Sequence, residues 1–157
     1  AGAGACQISL ENGSGSCQFV SNFAGGRLLT ACLQASVNWA GSCDSETHLT
    51  IKADTSVDSP AFNPNPALAG QTTVVSVQLN VMAPGAGTPT GTILVSASAT
   101  ELCTINLPAT SCALTMTTPG SRNVTASYSG DVSFNASQRQ NTVVVLADQL
   151  HSDGFEN

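Results

Sequence analysis

Residues 122–137, RNVTASYSGDVSFNAS, decide the fold of this chain. Their first half alternates in hydrophobicity, which places Val124, Ala126 and Tyr128 on one face of an extended strand and polar residues on the other. The Ser-Gly-Asp sequence at 129–131 is a turn signal, because these residue types favour tight backbone bends. The stretch therefore predicts a half-buried antiparallel strand that ends at a tight turn.

A related stretch lies 95 positions earlier (122 − 27 = 95), at residues 27–42, RLLTACLQASVNWAGS. Identical residues occupy the aligned positions of Arg27, Thr30, Ala31, Val37 and Ser42. Trp39 takes the place of Phe134. Two further pairs of segments align upstream, with a loop two residues longer in the first copy: CQISL (6–10) with CTINL (103–107), and SCQF (16–19) with SCAL (111–114). Residues 1–52 therefore correspond to the second half of a repeat whose full copy follows.

Strand-like alternation dominates the rest of the chain, and helical periodicity is nearly absent. The complete copy contains seven predicted strands, at 53–59, 72–82, 91–97, 101–107, 112–117, 122–129 and 140–147. The partial copy supplies only the last four, at 6–10, 17–20, 27–34 and 45–52. Seven short antiparallel strands are typical of an all-β, immunoglobulin-like β-sandwich. We expect a partial unit over 1–52, a complete sandwich over 53–147 and a C-terminal tail over 148–157.

Five segments of the complete copy carry a family resemblance: AGQTTVVSV (69–77), TPTGTILV (88–95), LPATSC (107–112), TPGSRNVTASYSGDVSFNAS (118–137) and NTVVVL (141–146). Together they resemble the bacterial Ig-like repeat of secreted and surface proteins. The resemblance covers residues 54–147 fully and residues 6–52 as a truncated copy. It implies a non-catalytic spacer, adhesin stalk or filament module.

The composition excludes several classes of partner. Only 9% of the residues are charged, and the formal net charge is −6. Nucleic acids and anionic membranes require a basic patch, so we expect neither as a partner. No apolar run approaches the roughly 18–20 residues that a membrane-spanning helix needs.

Six cysteines indicate disulfide crosslinks rather than a metal site. They are Cys6, Cys17, Cys32, Cys43, Cys103 and Cys112, and they form pairs separated by ten, ten and eight residues. The spacing does not match a zinc motif, and no histidine accompanies each pair. An even number of cysteines in short loops predicts three local disulfides, although other pairings stay open. The location predicted from them is secreted, extracellular or at the cell surface.

Two residues at the turn after the 122–129 strand predict a structural corner. Tyr128 is expected to bury its ring and to bond its hydroxyl to the backbone. Asp131 is expected to accept backbone N–H bonds within the turn. Calcium binding is the alternative role for Asp131, but no second carboxylate stands at ligand spacing.

Catalytic and cofactor-binding patterns are absent from the sequence. The only imidazoles are His48 and His151, and no nucleophile-histidine-acid arrangement accompanies them. We therefore predict a protein that is not an enzyme, with no catalytic residues, no cofactor and no metal. The single Trp39 and single Tyr128 lie at positions that predict burial, which argues against a carbohydrate-stacking surface. Asn12, Asn123 and Asn135 match the N-glycosylation sequon, but a chain this rich in Asn, Ser and Thr produces such matches by chance, and a hairpin turn explains Asn12-Gly13 better. Modification at these sites is left open.

The partial copy predicts a function in assembly. Half a sandwich exposes inward residues to water, and its open edges offer unpaired N–H and C=O groups. The predicted assembly surface comprises Ile8, Leu10, Phe19, Leu29 and Leu33, together with Leu150 and Phe155 of the tail. We expect a secreted structural protein that binds other copies of itself and forms an extracellular filament. The alternative is a passive stalk or adhesive module from a longer surface protein, and the sequence names no host or cell-surface ligand.

Overall fold

The computed structural model describes residues 4–21 and 23–148, and this part of the chain contains twelve strands and no helix. The strands are β1 Gly25–Leu33, β2 Ser42–Thr50, β3 Thr55–Val57, β4 Ala61–Asn63, β5 Ala67–Leu68, β6 Thr72–Ser76, β7 Leu79–Val81, β8 Thr92–Ser96, β9 Leu102–Asn106, β10 Ser111–Thr115, β11 Gly120–Tyr128 and β12 Ser137–Leu146. The chain divides into a first unit, Ala1–Lys52, and a second unit, Ala53–Asn157. Leu150 and Phe155 of the predicted assembly surface lie outside the described residues.

The second unit is an immunoglobulin-like β-sandwich, which confirms the predicted all-β fold class. One sheet has five strands in the order β5-β12-β11-β8-β9, and the other has three in the order β10-β6-β4. A short antiparallel pair, β3 with β7, completes the unit. Neighbouring strands are antiparallel except β5 and β12, which run parallel.

The core of the second unit lies on the inward faces that alternation predicts. Val124, Ala126 and Tyr128 of β11 are at most 1% exposed. Further fully buried side chains come from both sheets and from Met116, which directly follows β10: Val75, Ile93, Val95, Ile105, Leu114 and Val143. Each such side chain contributes roughly 1.5–3 kcal/mol when it leaves water, so this core accounts for the stability of the sandwich.

The described part of the second unit has ten strands where the sequence predicts seven: one predicted segment is divided into two strands, and β4 and β5 lie where no strand was predicted. The predicted strand over 72–82 breaks into β6, which pairs with β10 and β4, and β7, which pairs with β3. The Val77 N–H still donates to the Thr110 carbonyl (2.8 Å), next to β10. From Leu79 the chain pairs with β3 instead, so it passes from one sheet to another. The short strands β4 and β5 lie around Pro64 and Pro66, whose missing N–H groups limit the ladders there.

The first unit consists of a β1–β2 hairpin preceded by an irregular segment. Nine residue pairs connect the two strands, from Gly25 opposite Thr50 to Leu33 opposite Ser42. The β11–β12 pairing begins with Gly120 opposite Val145. Both members of that pair lie 95 positions after their counterparts (120 − 25 and 145 − 50), so the two hairpins share one register.

The predicted strands at 6–10 and 17–20 are wrong. Within the described part of the first unit, the only pairing outside β1 and β2 is an isolated bridge between Glu11 and Ser14. It closes the predicted Asn12-Gly13 hairpin turn, where both residues have positive φ. In the second unit, β9 pairs with β8, and β10 pairs with β6. The described first unit lacks counterparts of β8 and β6, so these two segments have no ladder to join.

Candidate functional site

The hairpin of the first unit exposes the face that is buried in the second. We call this face, formed by Arg27, Leu29, Ala31, Leu33 and the residues opposite them on β2, the inner face. Leu29 and Leu33 correspond to Val124 and Tyr128, which are 0% and 1% exposed. In the first unit, Leu29 is 37% and Leu33 is 44% exposed. None of the residues described between 4 and 52 is buried.

Phe19, Ser21 and Phe23 contact residues at one end of the inner face. Phe19 is half-buried and meets His48 edge to face, with 6.3 Å between ring centroids. The Arg27 guanidinium lies 5.6 Å from the centroid of the Phe23 ring, and Thr50 Oγ1 donates to Ser21 Oγ over 3.1 Å. Weak surface contacts of this kind contribute about 0.5–1 kcal/mol each, so these three residues cover the face only weakly.

The loop closed by the Cys6–Cys17 disulfide presents two more residues of the predicted assembly surface. Ile8 is 44% and Leu10 is 54% exposed. A Cβ atom at Gly15 would collide with Ile8 Cγ2 and the Ser9 carbonyl, so only glycine permits this close return of the loop. Both aliphatic side chains of this loop are therefore packed near Gly15 on one side and about half exposed to solvent.

The opposite, outer face of the hairpin is also partly apolar, which was not predicted from the sequence. Leu28 is 68% exposed, and Leu49 is 67% exposed. The Cys32–Cys43 disulfide lies on this face, and Thr30 Oγ1 and Ser45 Oγ form a hydrogen bond of 2.8 Å. The alignment could have indicated this apolar face, because Leu28 stands at the position of the polar Asn123.

Trp39 is exposed, and the prediction that it is buried is wrong. Its side chain is 72% exposed in the turn between β1 and β2. Its counterpart Phe134 is 4% exposed and lies beside Gly87 in the second unit. Phe134 also forms a parallel bridge with Ala53. Both neighbours of Phe134 precede β8 in sequence, and the first unit has no described counterpart of that part of the domain.

Tyr128 and Asp131 form a hydrogen-bonded corner in the second unit. The Tyr128 hydroxyl donates to the Thr90 carbonyl over 2.9 Å. Asp131 Oδ2 accepts from Thr90 N (2.8 Å) and Thr90 Oγ1 (2.7 Å), and Oδ1 accepts from Ser133 N (2.8 Å) and Phe134 N (2.9 Å). This carboxylate is therefore committed to closing the turn.

The electrostatics of this corner follow from those bonds. Burial alone would raise the pKa of Asp131, but hydrogen bonds from Ser133, Thr90 and Phe134 outweigh it and lower the pKa to about 2. Burial, with the nearby Asp131 charge, raises the pKa of Tyr128 to about 12. Both groups are thus held in the protonation state that the corner needs at neutral pH.

An ion pair between half-buried Arg122 and buried Glu101 in the second unit was not predicted from the sequence. Arg122 Nη2 donates to Glu101 Oε2 over 2.6 Å, and Glu101 is 8% exposed. Thr117 donates to Glu101 Oε1 from both its N–H (2.7 Å) and its hydroxyl (2.9 Å). The Thr117 N–H bond leads the causes that hold the pKa of Glu101 below its ordinary value. The pair connects the β8–β9 turn to β11 and therefore fixes one end of the sandwich.

Three disulfides join the six cysteines in the local pairs. Cys103 on β9 and Cys112 on β10 are half-buried against the core and bridge the two sheets, with Cα atoms 6.0 Å apart. Cys32 and Cys43 stand directly opposite one another on β1 and β2, with Cα atoms 4.1 Å apart. The second unit thus uses its disulfide to support a core, and the first uses one to hold two strands together.

No metal-binding cluster or membrane-spanning helix is present in the part of the chain that the structure describes. They contain no group of three or more His, Cys, Asp or Glu side chains placed to hold a metal ion. Over the same part of the chain, no helix has the length and apolar character to cross a bilayer. Two open depressions lie along β11 and β12. Each is lined mainly by Ser, Thr, Gln or Ala side chains.

Comparison with known proteins identifies the family. The family model described as "Bacterial Ig-like domain (group 3)" matches residues 61–147, which is more than half of the chain. No curated protein matches the sequence. Domains of this family are typically non-catalytic and suggest a surface or structural module. An extracellular or surface location is consistent with the family and with the three disulfides. The chain belongs to the group 3 bacterial Ig-like domain family.

Proposed function

We propose that this protein is a secreted, non-catalytic structural subunit of an extracellular filament. In this proposal the second unit is a self-sufficient sandwich, and the first unit is the assembly module. A neighbouring copy of the chain contributes strands that complete the sandwich of the first unit. Because donor and acceptor surfaces differ, such a contact does not close on itself, and repeating it produces a fibre.

One observation supports the proposal above the others. The β1–β2 and β11–β12 hairpins share a register, yet the inner face is covered in only one of them. Leu29, Leu33 and Trp39 are 37–72% exposed, whereas their counterparts Val124, Tyr128 and Phe134 are at most 4% exposed. Burying an exposed aliphatic or aromatic side chain contributes roughly 1.5–3 kcal/mol, so a partner that covers these three gains several kcal/mol.

Electron microscopy of the purified protein, with light scattering over a range of concentrations, tests the proposal. We expect filaments and a scattering mass that rises with concentration. The double variant Leu29→Lys/Leu33→Lys should remove assembly, because it replaces the two exposed leucines of the inner face with charged side chains. Leu94→Lys is the matched control, since Leu94 is 43% exposed on the second unit. A protein that stays monomeric at high concentration, with residues 1–52 folded, would contradict the proposal.

The shared register also favours a second candidate, a stalk module built from tandem repeats. In that case, strands that precede the first unit in a longer polypeptide would complete it, and the protein would act as a spacer or adhesive stalk. Intact mass and peptide mapping of the native protein distinguish the two. Further repeats of about 95 residues ahead of Ala1 would favour the stalk.

A further inference from the structure

The second unit shows which strand belongs beside β1. In the five-stranded sheet, β11 lies between β12 and β8. Its last four residues, Thr125–Tyr128, pair antiparallel with Ile93–Ser96. Subtracting 95 places the same edge of β1 at residues 30–33. Among the described residues, β1 pairs with β2 alone, so this edge carries no strand.

The backbone groups of this edge point away from β2. In antiparallel pairs, Cα atoms about 4.5 Å apart belong to non-hydrogen-bonded pairs, and those about 5.5 Å apart to hydrogen-bonded pairs. The Cα atoms of Cys32 and Cys43 are 4.1 Å apart, so these residues form a non-hydrogen-bonded pair. The N–H and C=O groups of Cys32, and of Thr30 two residues earlier, therefore face outward.

Side-chain chemistry distinguishes this edge from the outer edge of β2. On the inner face, β1 contributes Leu29, Ala31 and Leu33, whereas β2 contributes the acidic residues Asp44 and Glu46. Charged side chains on an edge strand oppose the addition of another strand. The apolar strip thus follows β1, and an added strand would extend it only from that side.

The occupant can be described from β8. Its inward residues Ile93 and Val95 are 0% exposed, and none of its five residues, Thr92–Ser96, is charged. In the shared register, an aliphatic residue in the place of Ile93 would stand opposite Leu33, and one in the place of Val95 opposite Ala31. The loop before β8 contains Gly87, which lies beside Phe134 in the second unit. The corresponding loop would reach Trp39.

The same added strand would also pair with part of the irregular segment of the first unit. In the second unit, β8 pairs with β9 on its far side, from Ser96 opposite Leu102 to Thr92 opposite Asn106. The aligned positions in the first unit are residues 5–9, because CQISL at 6–10 aligns with CTINL at 103–107. One added strand would thus give partners both to β1 and to a segment that now has none.

We propose that residues 30–33 of β1 bind an antiparallel, uncharged strand of another chain that has aliphatic residues two positions apart, as in β8. Docking covers Leu33 and Trp39 and converts residues 5–9 into a strand. This inference rests on the proposed function, because it names the edge and the register through which the first unit is completed.

A synthetic peptide with the sequence of residues 86–98, AGTPTGTILVSAS, tests the site in the full-length protein. Trp39 is the only tryptophan, so its fluorescence reports this surface without labelling. We expect a saturable blue shift and slower hydrogen exchange at the Thr30 and Cys32 amides. The same peptide with Ile93→Lys and Val95→Lys should give neither effect, and a peptide of residues 147–157 should also give neither.

A matched pair of variants tests the edge itself. Thr30→Pro removes the outward N–H, and Thr30→Ala loses the same hydroxyl contact with Ser45 but keeps the N–H. Binding should be lost in the first and kept in the second. Equal peptide binding by the two variants, binding of the 147–157 peptide instead, or the absence of any spectral change would overturn the inference. Hydrogen exchange on the unmodified protein keeps the test valid even if Thr30→Pro misfolds.

The outcomes separate this inference from the proposed function. Filaments that still form in Thr30→Pro would leave the filament subunit standing and refute the docking edge. Peptide binding by a chain that never assembles alone would support the docking edge and refute self-assembly.

Discussion

The two hairpins of this protein share one register and differ in what surrounds them. Around β11 and β12, a second sheet covers Val124 and Tyr128, and Glu101 neutralises Arg122. Around β1 and β2, the corresponding arginine, Arg27, contacts the Phe23 ring instead. The alignment offers no acidic partner there, because the position of Glu101 corresponds to Gly4 (101 − 97, the offset of the CQISL segment). The same local sequence pattern therefore yields a closed domain in one place and an open surface in the other.

This difference shows that alternation specifies a strand and its faces but not what covers them. In the second unit, the free energy of folding comes mainly from the core between the sheets. In the first unit, an isolated two-stranded hairpin is marginally stable in water, so it depends on its crosslinks and weak surface contacts. The comparison can be tested by perturbing equivalent residues in both hairpins.

Truncating equivalent residues should give the largest contrast. Tyr128→Ala removes a fully buried ring and its hydrogen bond to Thr90, and it should lower the free energy of unfolding of the second unit by about 3–5 kcal/mol. Leu33→Ala, at the equivalent position, should change the stability of the first unit by less than about 0.5 kcal/mol in the unassembled chain. Urea denaturation followed by hydrogen exchange measures both. Equal effects would mean that Leu33 is already buried.

Removing one disulfide from each unit should destabilise the first unit more than the second, the reverse of the truncation result. Each closes a short loop and is worth about 2–3 kcal/mol. Without Cys103–Cys112, the second unit should lose that amount and stay folded, because its core remains. Without Cys32–Cys43, the β1 amides should exchange as in an unfolded chain, since no core supports the hairpin. The variants are paired Cys→Ser substitutions, and slow exchange in β1 after its disulfide is removed would contradict this prediction.

Acid should act on the second unit through its corner. Asp131 has a pKa of about 2 in the folded protein against an ordinary value of 3.8. Its stabilisation is therefore complete above the ordinary value and is lost as the pH falls toward about 2. We expect the free energy of unfolding to decline across this window, with a shallower decline in Asp131→Asn. Urea unfolding at each pH, followed by the near-ultraviolet circular dichroism of Tyr128, the only tyrosine, measures this free energy. An unchanged slope in the variant would assign the acid sensitivity to other carboxyls, such as Glu101.

Features fixed by residues adjacent in sequence, such as strand faces and turns, could be predicted. Features that depend on residues distant in sequence could not. The alternation of Val124, Ala126 and Tyr128 and the Asn12-Gly13 turn could be predicted, because each is fixed by adjacent residues. The segments at 6–10 and 17–20 alternate in the same way, but a strand needs a ladder partner, and alternation does not say whether one is present. The Glu101–Arg122 pair joins residues 21 positions apart in sequence, and no periodicity signals such a contact.

The exposure of Trp39 has the same explanation. Alignment with Phe134 predicts burial, and that inference holds only where the loop containing Gly87 has a counterpart. The alignment and register locate Leu29 and Leu33 on the inner face, but their exposure depends on neighbouring strands, for which the described first unit has no counterpart. The outer face required a different comparison, since Leu28 stands out only when it is set against Asn123.

The smallest expected effect concerns that outer face and decides which side of the hairpin takes part in assembly. Leu28→Asn restores the residue that β11 carries, and the free energy of unfolding should change by less than about 0.5 kcal/mol because Leu28 is 68% exposed. If assembly proceeds by completing the sandwich, the inner face is covered, and Leu28→Asn should leave the filament yield unchanged. If filaments instead form by stacking outer faces, the polar side chain should reduce the yield as strongly as Leu29→Lys/Leu33→Lys. Sedimentation of the two variants side by side therefore identifies the covered face, and with it whether the first unit is completed in the way that the second already is.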